Sequence, residues 1–349
     1  MFGTYRPEDV SILLKDITGQ IDPLPTRERE KLIQSGVHYS EMLPLEYEPT
    51  KEYLSAFFQA LELYASKTAD AVQNVANQIW QEKQNQITLV SLARAGTPIG
   101  ILIKRDLEKR FHIKVPHFTI SIIRGKGIDR NAMDYILQSH CPESIQFVDG
   151  WTGKGAIQGQ LCDAMKNYPD VDPRLAVLSD PANVAGKAGS KDDFLIASSL
   201  LNSTVSGLLS RTVYRTDIIG PNDYHGAVFY EDLIDRDLTY FFISKIEEHF
   251  MDNVPKSSAE SLQRTGLEEV REIAESFGVQ DINLIKPGIG EATRVLLRRL
   301  PWKLLVYNLH DEEHLGHLYL LAKEKHVEVI EYPLVNYRAC GIIRQLPDS

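Results

Sequence analysis

The chain has 349 residues, of which 43% are hydrophobic and 25% charged, and its net charge is −10. That length suffices for two domains with proper cores, and the acidic balance excludes broad, sequence-independent coating of nucleic acid while permitting a local basic face. No apolar run approaches the roughly 20 residues of a membrane helix, and MFGTYRPEDV lacks a signal-peptide pattern, so no membrane partner is expected and the cytoplasm is the expected compartment. Cys141, Cys162 and Cys340 are too scattered for a disulfide framework or a metal knuckle.

Residues 1–50 read as an irregular leader punctuated by Pro23, Pro25 and Pro44, with a short helix over Asp9 to Lys15. Its segment His38 to Pro44 is dense in functional side chains and belongs either to the packing of the leader or to the rim of a site. From Pro49 to Gln84, Tyr53, Phe57, Leu61, Tyr64, Ala71, Val75 and Ile79 recur at helical steps and predict one long core-facing helix or a broken pair. Strand–helix alternation follows, with strands over Ile87–Leu92, His117–Ile123, the Ile145–Val148 stretch and Leu175–Leu178. This pattern predicts a parallel sheet with ligands at the carboxyl ends of its strands.

Three strand ends carry chemistry. After the first come Ala93, Arg94, Ala95, Gly96 and Thr97, small residues around one Arg whose amides suit a diphosphate. After the second, Arg124-Gly125-Lys126-Gly127 combines mobility with positive charge. After the third, Asp149, Gly150, Trp151, Thr152, Gly153, Lys154 and Gly155 open a helix, AIQGQLCDAMKN. A carboxylate followed by a small-residue turn and a helix N-terminus makes an anion site, the carboxylate being free for a sugar diol or a metal. A P-loop fails on spacing, because Val148 and Gly155 stand where it needs Gly and a hydroxyl.

SLARAGTPIG and FVDGWTGKGAI resemble the pyrophosphate loop and the phosphoribosyl-diphosphate (PRPP) signature of the type I phosphoribosyltransferases. More closely, the pair resembles the phosphoribosyltransferase family found with bacterial tellurite-resistance and stress operons, whose members carry a C-terminal Pelota-like RNA-binding domain. The resemblance implies an α/β parallel-sheet transferase domain over 51–258, with a helical cap over about 192–256. It implies Mg²⁺, PRPP and a nucleobase-like acceptor as ligands, and a homodimer. Asp149 would hold the ribose hydroxyls and Mg²⁺ through PRPP, Thr152 to Gly155 the 5′-phosphate, Ala93 to Thr97 the pyrophosphate, and Arg124 and Lys126 would close over it. Asp149, Arg94 and Lys126 are thus the expected catalytic set. The long loop after Leu178 brings Asp180 and Asn183 as candidate base contacts.

DNVPKSS, 252–258, reads as a linker and 259–280 as a helical connector. From 281 to 349 a new β and α rhythm predicts a small α/β/α sandwich. Its turn Gly288-Ile289-Gly290-Glu291-Ala292-Thr293-Arg294 resembles the RNA-gripping turn of the Pelota-like fold. Lys286, Gly288, Gly290, Glu291, Arg294 and Arg298 are the expected RNA contacts. Two other readings stand beside the transferase. One is a non-catalytic RNA-binding sensor of PRPP or a nucleotide, favoured by Gly150 where the signature has a second acid. The other is a cysteine hydrolase, for which the thiols are poorly placed: Cys162 lies inside a helix, Cys141 precedes Pro142, and Cys340 falls in a late strand.

Overall fold

A computed structural model describes residues 2–252 and 264–345. Among these residues six strands form a wholly parallel sheet: β1 Ser11–Ile12, β2 Thr88–Leu92, β3 His117–Ile120, β4 Ile145–Val148, β5 Ala176–Ser179 and β6 Lys187–Ser190. Their spatial order is β1-β3-β2-β4-β5-β6. The chain runs from β2 outward to β3 and then returns past β2 to β4. The loops after β2 and β4 therefore part at the switch point, where open α/β sheets form their crevice. Strands β2, β4 and β5 are buried at every position, as a parallel sheet covered on both faces requires.

Helices α1 Thr26–Gln34, α2 Lys51–Lys83, α3 Gly96–Phe111, α4 Arg130–Leu137, α5 Ala156–Met165 and α6 Thr239–Glu247 surround this sheet. On one face Phe57, Val72 and Ile79 of α2 pack with Ile99 and Leu102 of α3 and Phe242 of α6. On the other, Met133 and Ile136 of α4 pack with Leu161 and Met165 of α5. Helix α2 is unbroken for 33 residues, starts under a Thr50 cap and ends at Gln84, whose φ is +53°. Truncating Phe57, which is fully buried, to Ala would cost about 3–5 kcal/mol.

Three departures from the sequence reading have physical causes. Asp9 to Lys15 contains a strand rather than a helix, because Ser11 and Ile12 find backbone partners on β3. The loop after β5 contains β6, which fits against α2 because residue 189 is glycine: a Cβ there would lie 2.4 Å from Ala71 O. The stretch 192–252 is not a helical cap. Apart from α6 it holds short 3₁₀ turns, such as Ala197–Ser199 and Ser203–Val205, where hydroxyls compete for backbone groups, and a two-residue strand, Gly226–Ala227, paired with Lys15 and Asp16.

The C-terminal block comprises α7 Gly266–Phe277, β7 Ile285–Pro287, α8 Ile289–Arg298, β8 Pro301–Val306, α9 Glu312–Glu324, β9 Glu328–Glu331 and β10 Ala339–Ile343. Strand order is β7-β10-β8-β9, with β10 antiparallel to both its neighbours. Helix α7, expected as a connector, buries Val270 and Ile273 against Ile285, Leu305 and Ile342 of this sheet. Helices α8 and α9 pair elsewhere: Ile289, Ala292, Leu296, Leu315 and Leu318 join the same apolar cluster as α2 and α3. The expected linker lies outside the described residues from 253 onward.

Candidate functional site

The carboxyl ends of β2 and β4 open onto a cavity of about 690 Å³, closed from above by β7 and α8 of the C-terminal block. A second space of about 230 Å³ lies under residues 151–155. The two loops meet closely, since a Cβ on Gly96 would lie 2.5 Å from Val148 O. Ala93, Arg94 and Ala95 line the larger space, while Gly96 and Thr97 form the first turn of α3. Arg94 donates to Leu209 O at 3.0 Å and Asn202 Oδ1 at 2.6 Å, with Glu46 at 4.0 Å. The Thr97 hydroxyl is buried against Thr119 Oγ1 at 2.7 Å.

Asp149 accepts the Gly150 amide at 2.8 Å and faces both spaces. Burial pushes its carboxyl up to about 7, and Glu291 adds to that while Arg294 opposes it. Trp151 carries the Arg294 guanidinium 4.9 Å above its ring. Thr152 donates to Asp180 at 2.7 Å, and Gly153 O accepts Tyr337 OH at 2.6 Å. The Lys154 ammonium donates to Ile282 O and Ile285 O, so it ties this loop to the C-terminal block. Burial lowers it to about 7, with help from Lys286 and Arg124. Gly155, at φ +84°, turns the chain into α5.

The remaining sequence candidates divide sharply. Asp180 is fully buried: it pairs with Lys191 and accepts Thr152 and the Val184 and Ala185 amides, which leaves nothing for a base. Asn183 sits at φ +54° in the same turn, so this pair builds the loop. Arg124 and Lys126 lie on a tight hairpin turn held by the leader. His38 Nε2 is 3.0 Å from Arg124 O, Tyr39 OH accepts Arg124 N at 2.8 Å, and Glu41 pairs with Lys126 at 3.6 Å. The segment His38 to Pro44 is thus a buttress at the rim.

The expected RNA edge points inward. The Asp193 carboxylate accepts Ile289 N at 3.0 and 3.1 Å and Arg338 N at 2.9 Å, capping α8 from the first domain, beside Gly288 at φ +93°. A Cβ on Gly290 would lie 3.3 Å from Ser199 Oγ. Glu291 pairs with Arg294 at 3.0 Å, and Arg298 donates to Leu200 O at 2.8 Å and to Asn202. Burial, reinforced by Arg294 and Arg94, lowers Arg298 to about 9. Burial lowers Lys286 to about 8 despite Glu291. Sequence reasoning missed Arg29 and Glu46 on this cavity and Glu30 behind it, paired with Arg299, and left Asn202 and Arg211 without a role. In a run such as Arg27 to Lys31 every charge reads as solvated, and only the fold turns Arg29 and Glu30 inward.

The donor set does not fit a protein-held Mg²⁺. The cavity carboxylate that acts on Asp149 is Glu291, which is committed to Arg294. Among the described residues no group of three or more His, Cys, Asp or Glu could hold a metal ion. None of their helices is long and apolar enough to cross a membrane.

This is a mixed α/β protein with a central parallel sheet, joined to a small three-layer sandwich. The chain belongs to the StiP family, whose model, described as "Tellurite-like stress resistance cysteine protease StiP", matches residues 3–247. A model of the Pelota RNA-binding domain matches residues 264–345. The curated "Cysteine protease StiP" of Acinetobacter baylyi (strain ATCC 33305 / BD413 / ADP1) is 37% identical over 99% of this chain and 94% of its own. Among solved structures, a hypoxanthine-guanine phosphoribosyltransferase from Bacillus anthracis str. 'Ames Ancestor' shares 16% identity, covering 36% of this chain and 76% of its own, at a TM-score of 0.27. A hypoxanthine phosphoribosyltransferase from Trypanosoma cruzi shares 12%, covering 50% and 93%, at 0.26. Scores this low establish no kinship of function. The stress-resistance and Pelota resemblances therefore hold, whereas the PRPP- and Mg²⁺-dependent transferase is overturned: the family and the full-length relative are named for a cysteine protease.

Proposed function

We propose that this chain is a cysteine-dependent hydrolase of stress resistance with an attached RNA-binding domain. The observation that supports it is kinship across nearly the whole chain with a relative named a cysteine protease. Such a thiol must be reachable and must have a base beside it. Cys340 is fully buried in β10, and burial pushes its thiol well above the ordinary range. Cys162 is exposed on α5, but its sulfur lies 3.3 Å from the Gln158 amide, which is no base. Cys141 is exposed at the foot of β4 and follows His140 directly in the chain. We assign Cys141 as the nucleophile and, as its base, the neighbouring His140, whose Nδ1 lies 3.4 Å from Thr88 Oγ1 and whose ring packs on Phe118, so that the imidazole must turn toward the thiol to serve. The thiolate attacks the scissile carbonyl, the imidazolium returns its proton to the leaving amine, and water releases the acyl group from sulfur.

Single Cys→Ser variants assayed on an unfolded protein substrate such as casein test this. Cys141→Ser should lose at least about a thousandfold in rate, and Cys162→Ser and Cys340→Ser should cleave at close to the wild-type rate. Unchanged cleavage by the triple variant would end the cysteine reading, and loss confined to Cys162→Ser would move the nucleophile. The Pelota match supports RNA binding by residues 264–345.

A further inference from the structure

The cavity lies at the opposite end of the sheet from Cys141, so the hydrolase reading leaves its chemistry without a use. At the end formed by the leader, three guanidinium groups converge on it: Arg29 from α1, Arg211 from the segment before α6, and Arg299 from the end of α8. Arg29 keeps only 9% of its surface, and its Nε has no hydrogen-bond partner among the described residues. Arg211 lies with its guanidinium 4.5 Å over the Tyr39 ring. Arg299 is held by Glu30, its Nη2 donating to Oε2 at 3.0 Å. Among the described residues Glu30 is the carboxylate set against these three cations, which leaves an excess of two positive charges in a half-open space where, of the three, only Arg29 is buried. The next acid, Glu46, already faces Arg94 and accepts Ser203 N and Oγ at 3.1 and 3.0 Å.

Unbalanced buried charge is costly, and a folded chain retains it where something bound supplies the counter-charge. Like charges held together lower one another's affinity for the proton. Burial and the neighbours Arg29, Arg94 and Arg299 bring Arg211 down to about 9, and burial and Arg299 lower Arg29 as well. A guanidinium presents a planar fork of donors that matches pairs of oxygens on phosphoryl groups. At about 690 Å³ the space also exceeds what an inorganic anion needs and falls in the range of small-molecule sites.

We propose that Arg29, Arg211 and Arg299 form an oxoanion site that holds the phosphate group of a small phosphorylated molecule inside this cavity. The site stands apart from the thiol but shares its cavity with Asp149, and it is completed only when the C-terminal block brings Arg299 to the leader.

Thermal unfolding and calorimetric titration of the full chain test it, with inorganic phosphate and phenyl phosphate at matched ionic strength. Phenyl phosphate adds an apolar body to the same head group. Both probes should raise Tm, and tighter binding of phenyl phosphate would mark an organic phosphate as the occupant, whereas equal affinity would mark free phosphate. Arg29→Met and Arg211→Met should each weaken binding about tenfold or more, the loss of one charge-assisted pair. Without probe, both variants should melt no lower than the wild type, because the repulsion is relieved. Arg29→Lys, which keeps the charge but loses the fork, gives an intermediate affinity and serves if a Met variant misfolds. Binding unchanged in these variants, or no stabilisation by either probe, would overturn the site. A lower Tm in the unliganded Met variants with unaltered affinity would show that these arginines only pack.

Discussion

Asp149 ends β4 with a carboxyl that burial drives up to about 7, and this has a measurable consequence for stability. The folded protein holds that proton more tightly than the unfolded chain does. The contribution is therefore fully present below about pH 4 and is lost as pH rises through about 7. An asparagine has no proton to lose, so Asp149→Asn should match the wild type near pH 4 and unfold at higher temperature than it at pH 8. The ceiling on the gain is about 4 kcal/mol, since a carboxyl held roughly three pH units above its usual range costs about 1.36 kcal/mol per unit to ionise. Lys154, lowered to about 7, acts in the opposite direction and loses its contribution as pH falls, so the difference between variant and wild type isolates Asp149. Parallel stability curves for the two proteins from pH 4 to 9 would show that the carboxyl ionises without cost.

At the scale of elements, the contact between Asp193 and the start of α8 carries the union of the two blocks. One carboxylate satisfies the amides of Ile289 and Arg338, and it is almost fully buried. Asp193→Ala leaves those amides unpaired and should cost about 2–3 kcal/mol in urea unfolding, by the usual worth of bonds to a charged acceptor. A change below about 0.5 kcal/mol would mean that water replaces the carboxylate freely. Strands β2 to β5, the loops 93–97 and 149–155 and the sandwich rhythm were legible in the sequence, because continuous apolar runs and glycine-rich strand ends are local signals. The orientation of α8 was not. Lys286, Arg294 and Arg298 have the composition of a solvent-facing basic edge, and only long-range partners such as Asp193, Trp151 and Asn202 turn them toward the cavity. The short edge strand β1 was hidden for the same reason, since its partners lie more than a hundred residues away. The class of chemistry was not legible either: the two strand-end loops suggested a transferase, and a single His next to Cys141 is too common a pair to mark a nucleophile.

For the molecule as a whole, the shared apolar cluster makes the two blocks interdependent. Ile289, Ala292 and Leu296 of α8 belong to the same cluster as Leu195, Ile196 and Leu200. A chain ending at residue 252 should therefore expose that surface and unfold or aggregate at temperatures where the full chain is intact, as seen by light scattering; an equally soluble, equally stable fragment would contradict this. RNA binding offers a second test at this scale. Because Lys286 and Arg294 line the interior, the doublet Lys286→Ala with Arg294→Ala should leave the salt dependence of RNA binding unchanged. Flattening of its slope by about two units would put both residues on phosphates.

Whether an exposed thiol does the chemistry decides the proposed function, and labelling reads it out without any change to the sequence. The folded protein would be treated with iodoacetamide in steps, with the site and extent of alkylation read by mass spectrometry and proteolytic activity read in parallel. Activity should fall in proportion to alkylation of Cys141 and be independent of that at Cys162, with Cys340 unreactive until the chain unfolds. Full proteolytic activity in a protein whose Cys141 and Cys162 are completely alkylated would rule out catalysis by either exposed thiol.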